Sequence, residues 1–298
     1  MVKKPKVLVI LGPTATGKSD LAVALARKFN GEIVSADSRQ VYTGMNLGSG
    51  KITKREMRGV KHHMLDIVSP KKTYSVARYQ AEATRAVENI LARKKLPIIV
   101  GGTGFYIDAV ITGIALPEVP PNAKLRAKFE KQSAETLFKK LKVLSPRRAQ
   151  TIDAKNKVRL IRAIEIATAL GDVPEIGKTV SPYKTLYIGL DTKDTVLKNK
   201  IALRLAKRMK AGMIREVKAL HAHGVSWRRL ESFGLEYREG ARFLQNKISR
   251  TELTDILNRD IWQYVKRQRT WFKKNKNTHW FEPKEKMKIQ TAVRNFIK

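Results

Sequence analysis

Two glycines five residues apart, the second followed by Lys18 and Ser19, constrain this chain more than any other feature. Gly12, Pro13, Thr14, Ala15, Thr16, Gly17, Lys18 and Ser19 satisfy the pattern G-x-x-x-x-G-K-[ST]. The flanks decide whether that is chance. Lys6–Leu11 is a short apolar run that reads as a buried parallel strand. Ser19–Asn30 has apolar residues at helical spacing (Leu21, Val23, Leu25, Phe29), with Gly31 as the expected stop. Strand, glycine loop and helix in this order form a phosphate-binding loop. Its backbone N–H groups converge on one anion, and the helix adds the positive end of its dipole. Lys18 supplies a mobile charge, and Ser19 a hydroxyl for Mg²⁺. The loop calls for a diphosphate or triphosphate without naming the reaction.

A second strand is expected at Glu32–Asp37, ending in the polar cluster Asp37, Ser38, Arg39, Gln40. In an open α/β sheet, ligands sit beyond the carboxyl ends of the strands, so Asp37 should face the same crevice as the loop. An acid there also serves as an N-cap or a Mg²⁺ ligand. Lys51–Gly59 reads as a short basic helix, and Met64–Val68 as a third strand after His62 and His63. That pair lacks further ligands at metal spacing, so it reads as structural or substrate-positioning. Ser75–Lys95 should be a long helix capped by Ser75. Leu96–Val100 reads as a strand that runs into Gly101-Gly102-Thr103-Gly104, a turn allowing close backbone approach.

The αβ rhythm stops at Leu116-Pro117-Glu118-Val119-Pro120-Pro121. Helical pattern follows to Leu170, and Gly171, Pro174, Gly177 and Pro182 mark the exit. Segment 117–182 carries 14 Lys/Arg against seven Asp/Glu. It reads as a basic all-helical domain inserted into an α/β core of residues 1–116 and 183–298. After a strand at Thr185–Asp191 the chain is expected to be helical, with apolar stripes over Leu197–Leu220 and Thr251–Lys274. The last of these ends in Lys266, Arg267, Arg269, Trp271, Lys273 and Lys274, either a solvated face over core aromatics or a phosphate-contacting stripe.

The net charge of +35 over 298 residues favours a polyanionic partner, most simply a nucleic acid. With no cysteine, disulfides and thiolate metal sites are excluded, and a reducing cytoplasm is the natural setting. No apolar run approaches a membrane span, and the N-terminus has no signal-peptide pattern.

Together with the loop, the stretches Ser35–Tyr42, His62-His63-Met64-Leu65-Asp66, Val100–Tyr106 and Arg159–Glu165 resemble the tRNA dimethylallyltransferase family. That resemblance implies a P-loop NTPase-like parallel-sheet core, an inserted all-helical domain that grips a tRNA anticodon stem-loop, and a helical C-terminal part. It implies transfer of the dimethylallyl group from dimethylallyl diphosphate to N6 of the adenine 3′ of the anticodon, with Mg²⁺ at Ser19. Gly12 to Ser19 and Arg204 would hold the diphosphate. Asp37, Lys18 and Thr103 would be catalytic. The tRNA contacts would be Asp37, Ser38, Arg39, Gln40, Thr103, Arg126, Val158, Arg159, Leu160, Ile161 and Arg162. The expected protein is a monomer that meets no membrane. Gly234-Leu235-Glu236-Tyr237-Arg238-Glu239 departs from the family's usual Gly-Tyr-Arg-Glu by two extra residues. An adenylate isopentenyltransferase, a P-loop small-molecule kinase and a non-catalytic nucleotide-switched RNA binder are the alternatives. The adenylate enzyme needs no basic insertion, the kinase predicts a lid with arginines and needs no +35 surface, and the last needs no acid beside the loop.

Overall fold

The computed structural model describes residues 4–175 and 180–298; Gly177, one expected joint residue, lies outside them. The chain divides into two compact units, Met1–Gly113 with Val180–Lys298, and Ile114–Thr179. The first opens with β1 (Lys6–Leu11), α1 (Lys18–Lys28), β2 (Gly31–Ser35), α2 (Lys54–Met57), β3 (His62–His63), α3 (Val76–Ala92), β4 (Leu96–Val100) and α4 (Gly104–Thr112). The second holds α5 (Ala123–Glu130), α6 (Ala134–Leu144), α7 (Pro146–Thr151) and α8 (Lys157–Leu170). The first then resumes with β5 (Lys184–Leu190), α9 (Asp194–Ala211), α10 (Met213–Ala222), α11 (Trp227–Ser232), α12 (Leu235–Leu244), α13 (Arg250–Phe272), β6 (Thr278–Phe281) and α14 (Lys286–Ile297).

The six strands form one parallel sheet in the order β3-β2-β4-β1-β5-β6. Strand residues alternate between two cores. Val7, Val9, Val34 and Ile99 join a cluster with residues of α3, α4, α10 and α12. Leu8, Ile10, Ile33 and Ile98 join one with α1 and α14. Both faces are therefore covered, as the unbroken apolar runs of β1 and β4 require. A further cluster joins α9 to α13 through Leu197, Ile201, Leu257 and Ile261. The helical unit has its own core, built on Phe129, Leu137, Leu141, Leu160 and Ile164.

Several local expectations are corrected. The turn after α1 uses Asn30 (φ 49°) as its left-handed residue. Gly31 instead opens β2, where a Cβ would lie 2.8 Å from the Leu96 carbonyl oxygen. The third strand is the histidine pair itself, because Met64 and Asp66 take positive φ (66° and 54°) and end it. Of Lys51–Gly59 only one turn is helical, started by a Thr53–Glu56 capping box. The stripe over Leu197–Leu220 breaks at Gly212 (φ 104°), which separates α9 from α10. A sixth strand, β6, pairs with β5 at the sheet edge.

Candidate active site

The carboxyl ends of β1, β2 and β4 meet on backbone alone. Ala36 donates its N–H to the Val100 carbonyl (2.8 Å), Gly101 to Ile10 (3.3 Å) and Thr103 to Ala36 (3.1 Å). A Cβ on Gly101 would lie 2.1 Å from the Ala36 oxygen, and one on Gly12 2.2 Å from the Leu190 oxygen. Only glycine fits either position.

These strand ends floor a cavity of about 430 Å³ lined by Thr14, Ala15, Gly17, Lys18, Ser19, Asp37, Gln40 and Arg204, among others. Gly12, Pro13 and Thr16 sit behind it: Thr16 Oγ1 donates to the Pro13 carbonyl (2.9 Å) and closes the loop on itself. Ala15 (φ 64°) and Gly17 (φ 87°) supply the left-handed turns that aim the loop's amides. Lys18 Nζ also donates to the Pro13 carbonyl. Burial lowers its ammonium from the usual 10.5 to about 7; the Arg204 guanidinium adds to that, and Asp37 and Asp191 oppose it. The Arg204 guanidinium is itself pushed below its ordinary value, first by burial and then by Arg208. Arg204 reaches Thr14 Oγ1 (3.4 Å) and the Gly50 carbonyl (3.2 Å). Two cations thus lie together where burial penalises them, an arrangement that an incoming polyanion relieves.

Asp37 follows β2 and lines the same cavity. Its Oδ1 accepts the N–H groups of Arg39 (2.8 Å) and Gln40 (3.3 Å), so it does cap the turn after the strand. No described residue bonds its Oδ2. Thr103 accepts the Ser38 N–H at 3.1 Å, which ties the glycine turn to the Asp37 stretch. Arg39 turns away to the Phe233 carbonyl (2.7 Å) and ring. His62 also lines the cavity, whereas His63 bonds the buried Glu32 (2.8 Å). Burial first of all lowers the His62 imidazole. Among the described residues no group of three His, Cys, Asp or Glu could hold a metal by itself.

The remaining expected contacts lie in the helical unit. Arg126 and Arg162 both bond Glu165, and Arg162 also bonds the Val119 carbonyl. Leu160 and Ile161 are buried in that unit's core, so their side chains have nothing to offer an RNA, while Val158 and Arg159 are exposed. The basic end of α13 is also corrected. Arg269 is drawn into ion pairs with Asp191 (2.8 Å) and Asp194 (2.6 Å), and Trp271 Nε1 donates to Asp108 (2.8 Å). Only Lys266, Arg267, Lys273 and Lys274 of that run stay exposed.

Sequence reasoning missed Gln268 and Tyr264. Gln268 is 4% exposed; it accepts the Thr14 N–H (2.9 Å) and donates to the Gly102 carbonyl (2.9 Å), bridging the two glycine loops. Tyr264 donates to the same carbonyl (3.2 Å). The available signal was a polar residue interrupting the apolar stripe Leu257, Ile261, Val265, Phe272, masked by the basic residues around it. Glu216 was missed as well. It accepts three successive backbone N–H groups, those of Asn46, Leu47 and Gly48. No short-range pattern marks it.

The sequence model of the IPP transferase family matches residues 40–275. A tRNA dimethylallyltransferase of Treponema denticola is 45% identical over 272 residues, 90% of this chain and 91% of that protein. The crystal structure of the tRNA isopentenylpyrophosphate transferase of Bacillus halodurans superposes with a TM-score of 0.75 at 36% identity, over 98% of this chain and 97% of that one. A eukaryotic dimethylallyltransferase captured acting on tRNA gives a TM-score of 0.75 at 26% identity, over 90% and 69%. On the extent of these matches the chain belongs to the IPP transferase family, the tRNA dimethylallyltransferases.

Proposed function

We propose that this protein transfers the dimethylallyl group of dimethylallyl diphosphate to N6 of the adenine 3′ of the anticodon in tRNA and releases diphosphate. One observation carries the reading: the phosphate loop and Asp37, whose Oδ2 has no partner among the described residues, line a single cavity. The adenine nitrogen attacks the allylic carbon, the carbon–oxygen bond breaks, and its electron pair leaves on diphosphate. The loop amides, Lys18 and Arg204 receive that growing charge. Asp37 orients the weakly nucleophilic amine and takes its proton as the carbon–nitrogen bond forms. Thr103, bonded to Ser38, holds the turn beside it.

The donor set suits Mg²⁺. Ser19 and Asp20 line the cavity, and Mg²⁺ binds through one or two protein oxygens, phosphate oxygens and retained water. When bound there it would neutralise charge on the leaving diphosphate. The adenine must leave its stack, which costs a few kcal/mol. Val158, Arg159 and the partly exposed Arg162 are the side chains proposed to meet the tRNA from the helical unit. No described helix is long and apolar enough to cross a membrane, and action as a cytoplasmic monomer is part of the proposal.

The test is incubation with labelled dimethylallyl diphosphate and unmodified tRNA. Label in RNA is the expected result. Transfer only to AMP would favour the adenylate enzyme, and phosphate transfer from ATP to a small molecule the kinase.

A further inference from the structure

Glu216 and the segment Gly234–Glu239 have no part in the chemistry above, yet both converge on one wall of the cavity. We propose that Glu216, acting with Tyr237, is a positioning residue for diphosphate binding: the pair fixes the loop of residues 46–50, and that loop fixes the Arg204 guanidinium above the phosphate loop. The proposal rests on reading the cavity as the diphosphate site.

The bonds run without a gap from Glu216 to the phosphate loop. Glu216 accepts the N–H groups of Asn46 (2.9 Å), Leu47 (2.7 Å) and Gly48 (3.0 Å). The next N–H, that of Ser49, goes to the Tyr237 hydroxyl (3.1 Å), which donates its own proton to Glu216 (2.9 Å). Three successive amides therefore serve one carboxylate, and the fourth serves the hydroxyl bonded to it. This is the geometry with which a chain usually binds a foreign anion, here filled by its own carboxylate. The loop's carbonyls face the other way. Arg208 Nη1 donates to Leu47 (3.4 Å) and Gly48 (2.9 Å) and pairs with Glu236 (3.0 Å). Arg204 donates to Gly50 (3.2 Å) and reaches Thr14 Oγ1 (3.4 Å).

Two glycines let both partners come close. A Cβ on Gly48 would lie 2.6 Å from the Tyr237 ring, and one on Gly50 2.2 Å from Arg204 Nη2. Arg204 and Lys18 line the same cavity, and burial first of all destabilises both cations in place. Two such charges do not stay together unless something fixes them, and the Gly50 carbonyl does so for Arg204. The departing motif thus has a role: Glu236 and Tyr237 support this loop through Arg208 and Glu216.

The experiment titrates inorganic pyrophosphate with Mg²⁺ into the protein by calorimetry, with tRNA affinity measured in parallel. Glu216→Gln should weaken pyrophosphate about ten- to hundred-fold, the range for hydrogen bonds to a charged group. Tyr237→Phe, which keeps the buried ring, should weaken it less, and tRNA affinity should not move for either. Glu216→Gln should then add nothing in an Arg204→Ala background, because it acts through that guanidinium. Pyrophosphate affinity within two-fold of the parent, or an undiminished loss in the Arg204→Ala background, would overturn the proposal. If Glu216→Gln does not fold, Tyr237→Phe alone and combined with Arg204→Ala carries the same comparison. Lys18→Ala separates the two levels. If it also leaves pyrophosphate binding intact, the diphosphate reading falls. If it abolishes binding while Glu216→Gln does not weaken it, only this proposal falls.

Discussion

Lys18 should make diphosphate binding depend on pH near neutrality. Its ammonium titrates at about 7 in the folded protein, chiefly because it is buried. About half is charged at pH 7 and about one-tenth at pH 8. A bound diphosphate needs the charged form, so binding should draw in about half a proton at pH 7 and about nine-tenths at pH 8. The Lys18 contribution to affinity should fall about ten-fold from pH 6 to pH 8. The ligand titrates too, so the comparison is Lys18→Arg, whose guanidinium stays charged throughout. Calorimetry of pyrophosphate binding, in buffers of different ionisation enthalpy, reads proton uptake directly. Parallel profiles for the parent and Lys18→Arg, with equal proton uptake, would refute the reasoning. Stability carries the matching sign. The unfolded chain keeps Lys18 near 10.5, so between about pH 7 and 10.5 it binds more protons than the folded protein, and folding stability rises with pH across that window. The burden of the buried charge is fully present below pH 7, where Lys18→Met should raise the melting temperature of the ligand-free protein.

Three further outcomes are expected. Asp37→Asn should cut turnover about 10²–10⁴-fold with little change in either substrate's affinity; near-normal turnover, or full rescue by added Mg²⁺, would remove Asp37 from the role of base. Arg269→Ala should lose about 2–3 kcal/mol of stability with its bonds to Asp191 and Asp194, seen in urea unfolding. It should leave the salt dependence of RNA binding alone, whereas alanine at Lys266 and Arg267 should lower that slope by about one unit for each RNA phosphate left without its cation. Burial pushes the Glu165 carboxyl up, but its bonds to Arg126, the Asn122 N–H and Arg162 outweigh that and hold it at about 2 against the usual 4.5. The stability it gives, at most about 3 kcal/mol, is present above pH 4.5 and lost as pH falls toward 2. An unchanged acid midpoint for Glu165→Gln would contradict this.

The sheet's main strands and the phosphate loop were legible because their signals are local: a glycine pattern, apolar runs, a strand that stops at an acid. Ser75 caps α3 for the same reason, its hydroxyl accepting the Arg78 N–H. What was not legible depends on residues far apart in sequence. Gln268 reaches Thr14 across 254 positions, and Glu216 reaches Leu47 across 169. Arg269 looked like part of a solvated stripe because Asp191 and Asp194, which neutralise it, belong to another segment. The four-residue β6 is polar and aromatic at the sheet edge, with Trp280 36% exposed, so its apolar pattern was too weak to announce a strand.

Behind the cavity Gly12 meets Leu190, and at its floor Gly101 meets Ala36, in both places main chain against main chain. Contacts made by main chain alone have no side-chain vocabulary to vary. Every single-residue replacement at those two glycines drives a Cβ into a carbonyl oxygen, so random change there ends in lost folding rather than altered preference. Drift in what the cavity accepts is therefore left to lining side chains outside those contacts and outside the strands, such as Ile52 and Leu65. A library aimed at new allylic donors would find its viable members at those positions and almost none among the glycines.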